Sequence, residues 1–183
     1  FRFDLYSGEK NGRNLTNSTI RTHSEDLNSV VNYFKNKFNR IYLVGHSLGA
    51  PTILYANLKH IYSMVLWDPS INIAKRLENE LKYNKRMNKY ILSWGTEYLL
   101  SKEMLNDWKD LDSRLIRKII KPTKIICAGN GILYKEWKRY LSKIKPTYSF
   151  TIINKAGHNF DEEGVEDKLF LETLNWFKKE FRT

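Results

Sequence analysis

The stretch YLVGHSLGAP, Tyr42–Pro51, passes from an apolar run through a glycine and a serine into residues typical of a helix. The serine at its centre, Ser47, has Gly45 two positions before it and Gly49 two positions after it. A serine hydroxyl becomes a nucleophile when a base removes its proton, and it must stand clear of the backbone for a carbonyl to approach. A tight turn between a strand and a helix exposes a serine in this way, and small residues on both sides relieve the crowding. The stretch therefore predicts a nucleophilic serine, with the amide of Leu48 at the start of the next helix as a donor to an oxyanion.

Strand and helix patterns alternate on both sides of this turn. Short apolar runs predict strands, and apolar side chains at three- and four-residue spacing predict helices. This alternation indicates an α/β fold, a mostly parallel sheet flanked by helices, in a single domain over residues 1–183. The predicted strands are FRFDLY, RIYLVG, YSMVLWD, TKIICAG and SFTIINKAG, and the predicted helices run over about 22–38, 48–57, 133–143 and 165–181.

Residues 71–121 interrupt the alternation. They carry two or three amphipathic helical patterns with no strand signal between them. One pattern includes Leu77, and another includes Met104 and Trp108, with Ser101 as a candidate N-terminal cap. We therefore predict a helical insertion at 71–121 between two strands of the sheet.

The chain has a formal net charge of +11 at pH 7, which raises the question of a nucleic-acid partner. Its basic residues are spread along the sequence, whereas a nucleic-acid-binding face usually forms a concentrated patch. The densest run, KYNKRMNK at residues 82–89, is typical of a solvated surface. We therefore expect no nucleic-acid partner, and a basic binding module is the least favoured hypothesis.

The single cysteine, Cys127, lies in an apolar run, which predicts a small buried side chain and no intramolecular disulfide. A reducing compartment, the cytoplasm, agrees with this cysteine content. No apolar run reaches the roughly 18 residues of a membrane span. The sequence begins at Phe1 without a methionine, so a targeting segment upstream stays an open alternative.

VGHSLGA resembles the nucleophile elbow of the α/β-hydrolase superfamily, in its esterase and lipase-like branch, and KAGHNF resembles that family's histidine loop. FRFDLYSGEKNG is similar to the family's fourth strand and the glycine-bearing loop after it. The resemblance covers essentially the whole chain. It implies a serine hydrolase in which Ser47 attacks an acyl carbonyl while His158 takes and returns the proton.

The family's sheet has about eight strands, and the resemblance matches only the last five. It therefore implies the C-terminal part of a longer hydrolase. The unmatched part includes the first three strands and the loop that donates the second amide to the oxyanion. Losing one such donor typically lowers the rate on the order of 10²–10³-fold, so the chain alone is expected to hydrolyse esters barely above background.

The acid that orients the histidine has two candidates. The family's commonest position is the loop after TKIICAG, but AGNGILYKEW holds no carboxylate before Glu136. Asp68 follows the previous strand directly, where some family members carry their acid, although Asp-Pro-Ser is also an ordinary turn. We predict Asp68 as the acid, with Glu136 or no functioning acid as alternatives. The carboxylates Asp161, Glu162 and Glu163 are predicted to stabilise the N-terminus of the last helix.

The resemblance and the motifs together predict a carboxylic-ester hydrolase acting on a small-molecule ester with a small or medium acyl group. No metal-ligand cluster and no phosphate loop is visible, so no cofactor and no metal is expected. An inactive hydrolase fragment that keeps the fold is the second hypothesis. The predicted lining of an apolar acyl pocket, with ordinary core packing as an equal alternative, is Trp67, Trp94, Tyr98, Met104 and Trp108.

Overall fold

The computed structural model describes residues 1–7, 9–94, 96–112 and 114–182, without the side chains of residues 94, 181 and 182. Short 3₁₀ turns cover Leu15–Asn17, Leu115–Lys118 and Leu141–Lys143. In chain order the helices and strands are α1 (Ile20–Phe34), β1 (Ile41–His46), α2 (Gly49–Tyr55), β2 (Ile61–Trp67), α3 (Ile73–Leu77), β3 (Lys82–Asn84), β4 (Lys89–Trp94), β5 (Thr96–Leu100), α4 (Lys102–Asp112), β6 (Thr123–Ala128), α5 (Leu133–Lys138), β7 (Tyr148–Ile153) and α6 (Val165–Arg182).

The main sheet is parallel and has the strand order β1-β2-β6-β7. Successive side chains of its central strands enter two different cores. Met64 and Leu66 of β2 pack into the large core that α1, α2 and α5 cover, whereas Val65 packs into a smaller core under α6. Central strands covered on both faces read as continuous apolar runs, which is why the sequence predicts them well. The predicted parallel sheet flanked by helices is confirmed.

The helix before the turn, α1, begins at a reciprocal cap. The hydroxyl of Thr19 accepts a hydrogen bond from the N–H of Thr22 at 3.1 Å, and the hydroxyl oxygen of Thr22 accepts one from the N–H of Thr19 at 2.9 Å. Each hydroxyl satisfies an amide that the helix itself leaves unpaired. The helix ends at Phe34, earlier than predicted, because the next residues form turns that lead into β1.

The predicted first strand, FRFDLY, is not a strand. Residues 1–6 are irregular, and the ring of Phe1 lies 5.3 Å from the ring of Phe34 on α1, between centroids. A strand is stable when a neighbour accepts its backbone hydrogen bonds, and no strand in the described ranges pairs with the outer edge of β1. Phe1 stays 90% exposed despite this contact, and Phe3 is partly buried against the large core.

The prediction that residues 71–121 contain no strand is also wrong. The helices α3 and α4 lie where the amphipathic patterns place them, and Ser101 caps α4 by accepting a hydrogen bond from the N–H of Met104 at 3.0 Å. Between them, β3, β4 and β5 form an antiparallel sheet. Its cross-strand neighbours include Tyr83 with Tyr90, and aromatic side chains of this kind stabilise paired strands.

Cys127 on β6 is fully buried, as predicted, and burial raises the pKa of its thiol. Across the described ranges, every helix is too short or too polar to cross a membrane.

Candidate active site

The turn between β1 and α2 holds Ser47 in a conformation that non-glycine residues rarely adopt, with φ at +50°. The N–H of Ser47 donates to the carbonyl of Trp67, at the end of β2, over 2.9 Å. A Cβ on Gly45 would lie 2.8 Å from the backbone carbonyl of Gly49, which is too close for any side chain. A Cβ on Gly49 would meet nothing within 4 Å, so only the first glycine of the motif is required by crowding.

Three of the predicted side chains meet at the carboxyl ends of the parallel strands. Nε2 of His158 lies 2.9 Å from Oγ of Ser47, and Nδ1 of His158 lies 2.6 Å from Oδ2 of Asp68. The Asp68 side chain is 1% exposed and the His158 side chain is 46% exposed, so the imidazole faces solvent while the carboxylate does not. A carboxylate beside Nδ1 keeps the hydrogen on that nitrogen and leaves Nε2 free to accept the hydroxyl hydrogen of Ser47.

The carboxylate of Asp68 is fixed by more than the histidine. Its Oδ1 accepts a hydrogen bond from the N–H of Ala128 at 3.1 Å, and its own N–H donates to the carbonyl of Ile126 at 2.7 Å. The alternative acid, Glu136, lies on α5, and its Oε2 accepts a hydrogen bond from the side-chain amide of Asn72 at 3.1 Å. The geometry therefore favours Asp68 over Glu136 as the partner of the histidine.

The loop that carries His158 is supported by the loop after β6. The N–H of Asn130 donates to the carbonyl of Ala156 at 2.9 Å, and the side-chain amide of Asn130 donates to the carbonyl of Lys155 at 3.0 Å. On the other side, the carboxylate of Glu162 accepts the N–H of Gly157 at 2.5 Å. Glu162 therefore binds the histidine loop, whereas the sequence predicts that it stabilises α6.

His46, the residue before the nucleophile, also contacts the loop that carries His158. Its Nε2 lies 2.7 Å from the backbone carbonyl of His158, so this nitrogen carries a hydrogen and donates it. Burial lowers the pKa of His46, and the hydrogen bond to that carbonyl opposes the shift less strongly. The neutral ring is therefore the form that connects the elbow to the histidine loop at neutral pH.

The amide of Leu48, the predicted oxyanion donor, follows the nucleophile directly. Leu48 is the residue before α2, and no described residue accepts a hydrogen bond from its N–H. An amide at this position is free to donate to an oxygen bound next to Ser47. Within the described ranges, no three His, Cys, Asp or Glu side chains cluster in a way that would hold a metal ion.

The described side chains of the predicted pocket pack within the protein. Trp67 faces α6, where its indole N–H donates to the hydroxyl of Thr173 at 2.9 Å. Met104 and Trp108 are buried in the large core, and Tyr98 is partly buried against it, as the alternative of core packing predicts. The side chain of Trp94 lies outside the described residues.

One residue beside the nucleophile has no distinguishing signal in the sequence. The hydroxyl of Ser70 lies 3.4 Å from that of Ser47, and Ser70 occupies the third position of the turn Asp-Pro-Ser. The fold therefore brings together the hydroxyls of two residues that follow the neighbouring strands β1 and β2.

Solved structures similar to this chain share its arrangement of sheet and helices. Est1E from Butyrivibrio proteoclasticus is 17% identical with a TM-score of 0.73, over 91% of this chain and 72% of that one. The monoacylglycerol lipase of Paleococcus ferrophilus is 14% identical with a TM-score of 0.73, over 96% and 81%. The alpha/beta hydrolase GrgF from Penicillium sp. sh18 is 14% identical with a TM-score of 0.70, over 97% and 78%. No protein-family model and no curated protein matches the sequence.

At these identities the likeness establishes the fold. The chain has the α/β-hydrolase fold, as its elbow and histidine loop predict. A fold of this kind supports many reactions, so the reaction has to be argued from the site.

Proposed function

We propose that this chain is a serine hydrolase that cleaves carboxylic esters. The observation that carries the proposal is the continuous series of hydrogen bonds from Asp68 through His158 to Ser47, at 2.6 and 2.9 Å. This series matches the serine, histidine and acid arrangement that activates a hydroxyl for acyl transfer. The names of similar structures, an esterase domain and a monoacylglycerol lipase among them, support the same class of reaction.

In the proposed reaction, His158 Nε2 takes the hydroxyl proton as Ser47 Oγ bonds to the acyl carbon. The carbonyl electrons move onto oxygen, where the N–H of Leu48 donates to the negative charge. Collapse of this intermediate breaks the ester bond, and His158 gives its proton to the leaving alcohol. Water then repeats the sequence on the acyl-enzyme, releasing the acid and restoring Ser47. Asp68 stays ionised throughout and stabilises the protonated imidazole.

We also propose that the insertion at 71–121 caps this site. The insertion begins directly after Ser70, so it leaves the sheet beside Ser47. Its first helix is tied to its last by the carboxylate of Asp112, which accepts the N–H groups of Ile73 and Ala74 at 2.9 and 2.8 Å. A segment fixed in this way is positioned to form one wall of the substrate site.

The test uses a fluorophosphonate probe, which labels only an activated serine, together with p-nitrophenyl ester hydrolysis. We expect labelling at Ser47, identified by mass spectrometry, and loss of both labelling and hydrolysis in Ser47→Ala. Asp68→Asn should lower kcat by up to about 10⁴-fold, because the imidazole loses its orienting partner. Glu136→Gln is the matched control and should leave kcat nearly unchanged.

Circular dichroism and urea unfolding establish that each variant keeps its fold. A folded chain that the probe does not label would instead support the inactive hydrolase. Loss of activity in Glu136→Gln but not in Asp68→Asn would assign the acid to α5.

A further inference from the structure

Ser70 lies two residues after Asp68, and its side chain contacts the nucleophile. It is 7% exposed, and its Oγ lies 3.4 Å from Oγ of Ser47. Its backbone N–H donates to the carbonyl of Ser47 at 3.2 Å. Both the side chain and the backbone N–H of Ser70 therefore contact Ser47, although the proposed reaction gives Ser70 no role.

The available hydrogens determine the direction of the bond between the two hydroxyls. The carboxylate of Asp68 can only accept, so Nδ1 of His158 carries a hydrogen and Nε2 of the neutral ring is an acceptor. The single hydroxyl hydrogen of Ser47 then points at Nε2, 2.9 Å away. Oγ of Ser47 has only lone pairs left to offer, so the hydroxyl of Ser70 is the donor.

The backbone contact shows on which side of Ser47 this donor lies. The described chain has no cis peptide bond, so the carbonyl of Ser47 and the N–H of Leu48 point in opposite directions across one planar unit. Ser70 binds that carbonyl. Its backbone therefore approaches from the side opposite the Leu48 N–H, and the contact of its hydroxyl is with Oγ of Ser47.

We propose that Ser70 is a positioning residue for the nucleophile, which holds Oγ of Ser47 toward His158 by donating a hydrogen bond to it. The proposal rests on the proposed function. As Oγ bonds to the acyl carbon, its proton passes to Nε2, and Ser70 keeps its own hydrogen throughout. No additional group or reagent is needed.

The resting distance explains why the effect should appear in the rate and not in substrate binding. A hydroxyl-to-hydroxyl bond normally measures about 2.7–2.8 Å, so a separation of 3.4 Å is a weak contact. Bonds to an oxygen that gains negative charge are shorter and stronger. Oγ becomes a better acceptor as its proton passes to Nε2, before its bond to the acyl carbon is complete, so the contact tightens at that stage. An interaction stronger in the transition state raises kcat without changing KM.

The test compares Ser70→Ala with wild type by the second-order rate of fluorophosphonate labelling and by kcat and KM for a p-nitrophenyl ester. We expect about a tenfold fall in labelling rate and kcat, with KM unchanged, from the loss of one hydrogen bond to the nucleophilic oxygen. Ser70→Thr keeps the hydroxyl and should restore labelling to within about threefold of wild type. Ser24→Ala, a buried serine on α1, is the control and should label as wild type does.

Two results would overturn the assignment while leaving the proposed function in place. One is a folded Ser70→Ala that labels at the wild-type rate. The other is Ser70→Thr labelling as slowly as Ser70→Ala. If Ser70→Ala does not fold, Ser70→Cys, which replaces the hydroxyl by a weaker donor, must also label more slowly than wild type. A wild-type chain in which Ser47 is not labelled at all would overturn the role of Ser70 and the proposed function together.

Discussion

Two of the three aligned side chains stand on unusual backbone. Ser47 has φ at +50° and Asp68 has φ at +35°, and each is the residue that follows the end of a strand. Such conformations cost of order 1–3 kcal/mol each and persist where the surroundings enforce them. Here the N–H of each residue donates to the next strand of the sheet, at Trp67 and Ile126. The nucleophile and the acid are thus held by extensions of the same hydrogen-bond ladder.

The two glycines of the elbow should respond differently to an added methyl group. In Gly45→Ala, the new Cβ would meet backbone atoms at 2.8 Å and Cδ1 of Ile53 at 2.7 Å, so the turn has to move. We expect a loss of about 1–3 kcal/mol in the free energy of unfolding, together with a large fall in ester hydrolysis. Gly49→Ala enters open space at the start of α2 and should change stability by less than about 1 kcal/mol. Urea unfolding measures the stability of both variants, and equal losses would contradict this account.

At this scale the sequence predicts the residues whose chemistry has a local signature. Ser47 is marked by its flanking glycines and by the strand before it, and His158 by its place after the last strand. The loop after β6 lacks an acid, which directs attention to Asp68. Ser70 and His46 carry no such mark, because their roles depend on contacts between separate strand ends that only the folded chain brings together.

At the scale of elements, the sequence predicts the parallel strands and misses the antiparallel ones. A strand buried on both faces is a continuous apolar run, and the short length of such a run separates it from a buried helix. The strands of the insertion are half exposed, and their tyrosines and leucines also fit helical spacing over a short window. FRFDLY shows the converse error, since a correct alternating pattern does not become a strand without a neighbour to pair with.

Helix α1 carries a buried titratable group that should make its packing sensitive to acid. His23 is fully buried, neither ring nitrogen has a hydrogen-bond partner among the described residues, and its ring lies 6.4 Å from that of Tyr6. Burial lowers the pKa of His23 to about 4, with Asp26 opposing the shift and Arg13 adding to it. The unfolded chain takes up this proton near pH 6.5, well before the folded chain does.

Folding stability should therefore fall as the pH drops from 6.5 toward 4. Between pH 7.5 and pH 5, we expect His23 to account for a loss of about 2 kcal/mol. His23→Leu should lack this component, whereas His60→Leu, at an exposed position, should keep it. Urea unfolding of the three proteins at both pH values measures the difference. The account fails if His23→Leu loses as much stability as wild type.

At the scale of the whole molecule, the sheet is bounded by β1 on one side and β7 on the other. The strand that carries the nucleophile is thus an edge strand within the described chain. Its sequence, IYLVGH, contains no lysine, acid or proline, and Val44 is 42% exposed. Edges without charge or proline accept strands from other molecules.

We expect the 183-residue chain to self-associate through this edge in a concentration-dependent way. Val44→Lys places a charge on the edge and should shift the chain toward monomer at the same concentration. Ile120→Lys adds the same charge at another exposed apolar position, 62% exposed, and should not have this effect. Analytical ultracentrifugation measures the distribution of species. A wild-type chain that stays monomeric across the concentration range, or equal shifts in both variants, would contradict the role of the edge.

The chain's single thiol, on Cys127, is enclosed within the sheet, and burial raises its pKa further from that of a reactive thiolate. The thiol of the folded protein is therefore not expected to react with maleimides or iodoacetamides. A cysteine introduced anywhere on the surface becomes the one group that such reagents modify, with no native residue to remove first. A pair of spin labels or fluorophores, one on the insertion and one on the histidine loop, would then report the distance between the two segments in solution. Because Cys127 does not react, thiol titration of Ser47→Cys would measure the fraction of chains in which the turn between β1 and α2 is correctly formed.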